Sequence, residues 1–388
     1  MKIKPFATEQ YFSLYEFTAE YPLSVSDCET VSVAGLLELA GIPLEEFAET
    51  RLSYTESPGI PALRDAVAGT YDGITPDNVI YLGAPVEGIY LAMRGLLEQG
   101  DEVVVMRPAY DALINVVEHV CGSYVPWDLK PASDGWDLDF DYLESVVSSS
   151  TKMVIVNFPH NPTGFLPSID EFDRLIAICR ANDVVLFCDE MYRGLELAPA
   201  KQVPTASVVY EKAITLSGLS KTYGLPGLRS GWLLVRDKET CDELVNWKHY
   251  TTICSSATSQ QLALIAMSVK ERLQQANLEL LARNLELADE FFFQHAELFS
   301  FRMPSAGSIA LVGVRPKLIG DSTVSEYCHH LAAEHGVLLL PGDCLGAQCL
   351  DGIEDNVSGY VRFGFGRESF QRSLAAYHDV LADAGLSS

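Results

Sequence analysis

Basic residues are scarce in this 388-residue chain: 27 Lys and Arg stand against 53 Asp and Glu, a formal net charge of -26. Nucleic-acid phosphates are held by clustered cations, and cations this few and this dispersed exclude a polynucleotide surface. Long hydrophobic runs are missing too. No stretch approaches the roughly 18 apolar residues of a membrane helix, and the opening MKIKPFATEQYF lacks the apolar core of a secretory signal. A soluble, cytoplasmic protein without a membrane partner is the expectation. The cysteines, Cys28, Cys121, Cys179, Cys188, Cys241, Cys254, Cys328, Cys344 and Cys349, form no CxxC and no Cys/His pair at zinc-like spacing. No metal site is expected, and the thiols read as reduced core residues. Low-complexity tracts and internal repeats are also missing.

What is present is a globular composition, with 48% hydrophobic and 21% charged residues. The length exceeds the roughly 250 to 300 residues at which one core stops growing, so two lobes are expected. From about residue 78 to 235, the apolar runs NVIYLGA, DEVVVMRP, KMVIVNFP, DVVLFCDE, KAITLSG and RSGWLLVRD read as strands. Between them, Gly88 to Glu98, Asp111 to His119 and Ile169 to Asn182 read as helices. This alternation predicts an α/β domain with a mostly parallel sheet flanked by helices, whose ligands bind beyond the carboxyl ends of the strands. Gln260 to His295 is nearly free of Gly and Pro and reads as one long helix bridging two lobes. A smaller α/β unit follows, with strands Ser308 to Val314, Val337 to Leu340 and Tyr360 to Phe365 and helices Ser325 to His335 and Arg367 to Ala384. The expected division is an N-terminal arm (1–40) packing on the small lobe, a large domain (41–285) and a small domain (286–388).

Unusual polar residues sit at the expected strand ends. In TLSGLSKTYGLPGLRSGW, Lys221 follows a strand into a segment too rich in Gly and Pro for a regular helix. A lysine desolvated there has a lowered pKa and becomes a nucleophilic amine suited to Schiff-base chemistry. Arg229, in the same loop, has the planar fork that grips phosphate. Taken alone, the two also read as surface cations. Asn161 lies in VNFPHNPTG, a turn after a buried strand, and could hydrogen-bond a ligand oxygen. Asp189 ends the apolar strand of FCDEMYRG with Tyr192 close behind; a carboxylate buried there needs a cationic partner, and a pyridinium nitrogen would serve. YLGAPVEGIYLAMRGLL runs from strand to helix through Gly83 and Ala84, where free backbone N–H groups could hold a phosphate. Tyr110, in MRPAY, could stack on a flat ring.

Together, NFPHNPTG, CDEMYRG, SKTYGLPGLRSGW and VRFGFG, in this order and spacing, resemble the class I/II aminotransferase superfamily of pyridoxal 5'-phosphate (PLP) enzymes, fold type I, over nearly the whole chain. The resemblance implies that Lys221 bonds the cofactor aldehyde and Asp189 keeps the pyridine nitrogen protonated. It implies further that Asn161 and Tyr192 hydrogen-bond the ring 3-oxygen, and that Tyr110 stacks on the ring. Arg229, Gly83 and Ala84 would bind the phosphate, and Tyr54, in SYTESPGIPALR, would come from the neighbouring subunit of a homodimer with active sites at its interface. Arg362, in GYVRFGFG, would grip a substrate α-carboxylate together with Asn161, so the partner is a small α-amino acid. Two positions depart from the pattern: Gly218 replaces a common phosphate-binding Ser or Thr, leaving Ser217 or Ser220 as substitutes, and Pro85 offers no N–H.

The arm bears on the reaction. Glu9, Glu16 and Glu20 share one face if their segment is a helix, either as a solvated acidic face or as carboxylates closing over the site. EQYFSLYEF, SDCE and YTESPGIPALR also resemble a narrower group, the PLP-dependent cyclases of hydroxylated arginine of the capreomycidine- and L-enduracididine-forming type. That resemblance implies a substrate guanidinium held by Glu9, with Glu16 or Asp27 as further candidates. It also implies loss of water and guanidine ring closure. The alternative is an ordinary α-amino acid aminotransferase.

Overall fold

The computed structural model describes residues 2–133, 135–197 and 201–386. Among these, fourteen strands form three sheets. β1 (Tyr21–Pro22) belongs to the smallest. The largest contains β2 (Val79–Leu82), β3 (Glu102–Arg107), β4 (Val125–Ala132), β5 (Gly135–Leu138), β6 (Thr151–Asn157), β7 (Val185–Asp189), β8 (Ala213–Gly218) and β9 (Gly231–Val235). Its spatial order is β2-β9-β8-β7-β6-β3-β4-β5. The third holds β10 (Phe299–Ser300), β11 (Ile309–Val314) and, after β12 (Val337–Leu338), β13 (Leu340–Pro341) and β14 (Gly359–Gly364), in the order β10-β11-β14-β13. β12 pairs with β1 instead.

The large sheet is parallel through β4, β3, β6, β7 and β8 and antiparallel at β8–β9, β9–β2 and β4–β5. Parallel strands need both faces covered, and the side-chain period of two supplies two apolar faces. Val104, Val154, Val156 and Leu186 enter one core with the helices Phe140–Val146 and Ile169–Ala181. Val103, Val105, Met153, Ile155 and Phe187 enter the other with the helices Pro85–Leu96 and Asp111–Cys121. Each helix starts and stops on local chemistry. Ser168 and Glu171 form a reciprocal capping box, Pro85 occupies the first helical turn, and Gly122 ends its helix in the left-handed conformation at φ 91°.

Several expected boundaries move. The helix expected from Gly88 begins at Pro85, because a proline is compatible with a first turn, where its missing N–H costs nothing. The long helix expected from Gln260 to His295 is two, Ala257–Ser268 and Lys270–Gln294. They break at Val269, which leaves the helical basin (φ -126°, ψ 17°) while its side chain stays in the core with Ile265 and Leu273. The second helix runs uninterrupted through residues 285 and 286, where the two domains were expected to divide. The single strand expected over Val337 to Leu340 is β12 plus β13, paired in different sheets.

The arm splits its allegiance. Tyr11, Phe12, Leu23 and Cys28 join the core of the small sheet, while Leu36 and Leu37 of the helix Val33–Ala40 join a cluster on the large one. Its first helix, Ala7–Tyr15, ends with Glu16 as the C-cap, so Glu20 lies beyond it and turns toward Arg372, 4.0 Å away. Glu9 and Glu16, two turns apart, both face one cavity, and Glu20 does not share their face.

Candidate active site

β6, β7 and β8 end side by side, with Asn157 in register with Asp189 and Asp189 with Leu216. Beyond those ends lies a cavity of about 560 Å³. Asp189 reaches it from the last position of β7, and one Oδ1 accepts the Met191 N–H at 3.0 Å. Burial pushes its carboxyl up to about 7, against the opposing pull of that N–H and of Lys221. Asn157 Nδ2 donates to the Asp189 carbonyl (2.8 Å) and its Oδ1 accepts the Asn161 N–H (2.6 Å), so one amide fixes both neighbours.

Lys221 enters from the loop after β8, and burial lowers its pKa. Its Nζ donates to Ser26 Oγ at 2.8 Å. Arg362 projects from β14, 2% exposed, with Nη1 on Asn161 Oδ1 (3.3 Å) and Nη2 on the Ser24 carbonyl (2.9 Å). The Phe12 ring lies 5.7 Å beneath its guanidinium carbon. Tyr192 and Ser220 line the cavity with buried hydroxyls that have no partner among the described residues, and the same holds for Arg362 Nε. Burial without a partner is costly, so these atoms imply a polar ligand.

The arm forms the opposite wall. Glu9 accepts from Tyr110 Oη at 3.2 Å, and Thr8 donates to Asp111 through its N–H (3.3 Å). Glu16 also lines the cavity, its pKa raised by burial and then by the charges of Glu9 and Asp27. Asp27 is paired with Arg367 at 2.6 Å, whereas Glu9 and Glu16 form no ion pair among the described residues.

The model of the aminotransferase class I and II family matches residues 37–369. The chain belongs to that family. Capreomycidine synthase of Streptomyces vinaceus is 30% identical over 336 residues, covering 85% of this chain and 82% of that one. A PLP-dependent aminotransferase from Streptococcus suis superposes with a TM-score of 0.89 at 27% identity, covering 99% of both chains. The PLP-dependent cyclase OrfR gives the same TM-score at 26% identity, covering 99% of this chain and 98% of its own. This class I/II aminotransferase-family protein is thus an enzyme, and its cofactor is pyridoxal 5'-phosphate.

The residues present fit that cofactor. A buried carboxyl lifted to about 7 accommodates a protonated ring nitrogen, a desolvated amine stands nearby, and the orphaned Tyr192 and Ser220 hydroxyls await oxygen acceptors. Glu9, Glu16, Asp27, Tyr110, Asn161, Asp189, Tyr192, Ser220, Lys221, Arg229 and Arg362 all line the one cavity. Gly83, Ala84, Ser217 and Tyr54 do not. The Gly83 N–H is taken by Glu87 Oε2 at 2.7 Å, and Pro85 has none, which leaves Val86 as the lining residue of that first turn with an amide. Ser217 faces Tyr71 instead. Tyr54 is 87% exposed. Arg229 sits in the left-handed region at φ 52°, its Nη1 on the Pro226 carbonyl (2.8 Å), reached through a turn at Gly224 where any Cβ would overlap the Glu29 carbonyl.

Three neighbours escaped the sequence reading: Ser26, Arg367 and Phe12. Ser26 and Phe12 lie inside the quoted SDCE and EQYFSLYEF segments and Arg367 follows VRFGFG, but nothing in spacing pairs them across the fold. None of the described cysteines lines the cavity, and Cys28, Cys121, Cys179, Cys188 and Cys328 are buried as expected. Among the described residues no His/Cys/Asp/Glu group could hold a metal, and no helix is long and apolar enough to cross a membrane.

Proposed function

We propose that the enzyme is a cyclodehydratase, converting a hydroxylated L-arginine into a cyclic guanidino amino acid of the capreomycidine or enduracididine type. The observation that carries this reading is the pair of arm carboxylates, Glu9 and Glu16, which line the cavity without an ion pair among the described residues. Asp27 has Arg367, and Asp189 has the cofactor ring nitrogen. Arg362 is assigned to the substrate α-carboxylate and Arg229 to the cofactor phosphate, with Ser220 and the Val86 amide as further phosphate contacts. A cationic side chain satisfies what remains.

When bound, PLP supplies the electron sink that acidifies the substrate α-hydrogen. Arg362, held by Asn161 and the Ser24 carbonyl, orients the α-carboxylate. Lys221 Nζ, its pKa lowered by burial, takes the α-proton. Glu9 and Glu16 hold the guanidinium at the arm wall while Phe12 and the arm helix exclude water. The substrate hydroxyl departs as water with the proton that Lys221 took, a guanidino nitrogen bonds the carbon it left, and the proton that this nitrogen sheds is returned by Lys221 to the α-carbon.

The alternative, an α-amino acid aminotransferase, draws support from the Streptococcus suis structure at a TM-score of 0.89. Substrate charge tests the carboxylate reading: L-arginine should perturb the cofactor absorbance at concentrations at least about tenfold below its neutral isostere L-citrulline. Equal half-saturation overturns the assignment of Glu9 and Glu16.

The homodimer belongs to this proposal. Leu52, Tyr54 and Tyr250 are 85%, 87% and 83% exposed, and their segments are tied together by Thr55 on the Ser255 carbonyl (3.4 Å) and Ser57 on the Ile253 carbonyl (2.5 Å). Exposed apolar side chains on two joined segments suit a second copy, to whose cofactor Tyr54 would be delivered.

A further inference from the structure

We propose that Ser26 is a positioning residue for the Lys221 amine: its hydroxyl holds Nζ toward the substrate α-hydrogen whenever that nitrogen is not bonded to the cofactor. The contact itself is direct, Nζ donating to Ser26 Oγ at 2.8 Å. What makes it more than a chance neighbour is how the backbone carrying Ser26 is fixed. Three hydrogen bonds, two from β14 and one from Ser308 just before β11, hold the segment Leu23 to Ser26. The Gly364 N–H of β14 donates to the Leu23 carbonyl (2.8 Å), Arg362 Nη2 donates to the Ser24 carbonyl (2.9 Å), and Ser308 Oγ donates to the Ser26 carbonyl itself (2.6 Å).

The fit leaves no room for a side chain at Gly364 or Gly366. A Cβ at Gly364 would overlap the Val25 carbonyl, and one at Gly366 would come within 2.7 Å of the Asp27 carbonyl. A hydroxyl mounted on such a backbone is confined to the few staggered positions of χ1, and a flexible lysine stem with four rotatable bonds is restrained by bonding to it. Ser26 also stands beside Tyr192, whose pKa it pulls down against the larger upward push of burial. The two oxygens fall short of a formed hydrogen bond, since the Tyr192 hydroxyl is left without a partner. Ser26 thus lies between the amine and the residue assigned to the cofactor's 3-oxygen, and it touches the former. The same Arg362 that is assigned to the α-carboxylate holds the carbonyl two residues before Ser26, so substrate and amine are located from one strand pair.

This inference rests on Lys221 being the cofactor lysine. It does not depend on cyclisation, because removal of the α-hydrogen is common to both reactions considered above. The full-length enzyme with PLP is compared as wild type, Ser26→Ala and Ser26→Thr, using L-arginine as probe and exchange of its α-hydrogen with solvent deuterium as the catalytic readout. Ser26→Ala should lower kcat for exchange on the order of 10- to 100-fold with KM nearly unchanged, and Ser26→Thr, which keeps the hydroxyl, should recover most of it. A readout independent of turnover is the rate at which apoprotein takes up PLP into a borohydride-stable adduct on Lys221, followed by mass spectrometry; Ser26→Ala should slow it and Ser26→Thr should not. Unaltered exchange and uptake in Ser26→Ala, or a change confined to KM and melting temperature, overturns the role of Ser26 while leaving Lys221 in place. A borohydride label on some other lysine in the wild type overturns the Lys221 reading itself.

Discussion

Burial separates the two cations of SKTYGLPGLRSGW. Lys221 is desolvated and its pKa falls, while Arg229 is exposed at the cavity on a left-handed residue, which suits the one to the proposed role of base and the other to that of an electrostatic clamp. Lys221→Ala should abolish the borohydride-stable adduct and lower turnover at least about 10²- to 10⁴-fold, the usual worth of a positioned general base. Retention of the adduct would contradict it. Glu9 and Glu16 differ in how they are held: Glu9 is tied to Tyr110, and Glu16 is strained by neighbouring negative charge. Glu9→Gln and Glu16→Gln should each raise KM for a guanidinium substrate by about 10- to 100-fold with little change for a neutral one, the scale of a charge-assisted hydrogen bond. That Lys221, Asp189 and Asn161 share a cavity is legible in sequence because each follows or ends an apolar strand, where a polar residue is conspicuous, whereas Arg362 is marked by the family resemblance. Ser26 is not, since a serine in a loop carries no signal until Lys221 is placed against it.

At the scale of elements, the parallel strands are readable because a strand buried on both faces is an unbroken β-branched run, as in KMVIVN. The break at Val269 and the division of β12 from β13 are not, because each depends on which distant element takes the side chain or the ladder. The seat of the arm is likewise tertiary. Gly364→Ala would drive a methyl into the Val25 carbonyl, and a loss of about 1–3 kcal/mol or more is expected. Chemical denaturation checks this, and an unchanged midpoint would show that the arm is not seated there.

The loop after β6 and the end of β7 make a second element-scale prediction. His160 Nε2 donates to the Pro108 carbonyl (2.8 Å), which leaves Nδ1 of the neutral ring to accept from Thr163 Oγ1 (2.7 Å), and burial lowers its pKa to about 3. Below the ordinary histidine range the unfolded chain binds a proton that the folded one does not, so this group makes stability fall as pH drops from about 6.5 toward 3. Asp189, lifted from 3.8 to about 7, acts oppositely: the folded apoprotein keeps a proton that the unfolded chain releases, and stability falls as pH rises from about 4 to 7. Where the two windows overlap the slopes oppose. In apoprotein, Asp189→Asn should remove the second slope, gaining on the order of a few kcal/mol at pH 8 and exposing the acid-side loss of His160. Melting temperature against pH measures both, and parallel curves for the two proteins would contradict the assignment.

Across the whole molecule, the cavity is walled by the large sheet's strand ends, by β14 of the small sheet and by the arm, so its chemistry is divided among segments far apart in sequence. Tyr54 is the assigned residue that a single chain leaves in solvent. A mixture of Lys221→Ala and Tyr54→Phe chains, refolded together, should form dimers in which one site carries both defects and the other neither, recovering about a quarter of wild-type activity if partners mix at random. Separate inactivity with no recovery would place Tyr54 outside a shared site. The central claim, a PLP site whose arm carboxylates direct ring closure, is tested most directly by incubating the holoenzyme with γ-hydroxyarginine, with and without a keto acid, and weighing the product. The account predicts a cyclic guanidino amino acid that has lost the elements of water at a rate independent of the keto acid. Turnover that requires the keto acid and converts the cofactor to pyridoxamine phosphate would contradict it.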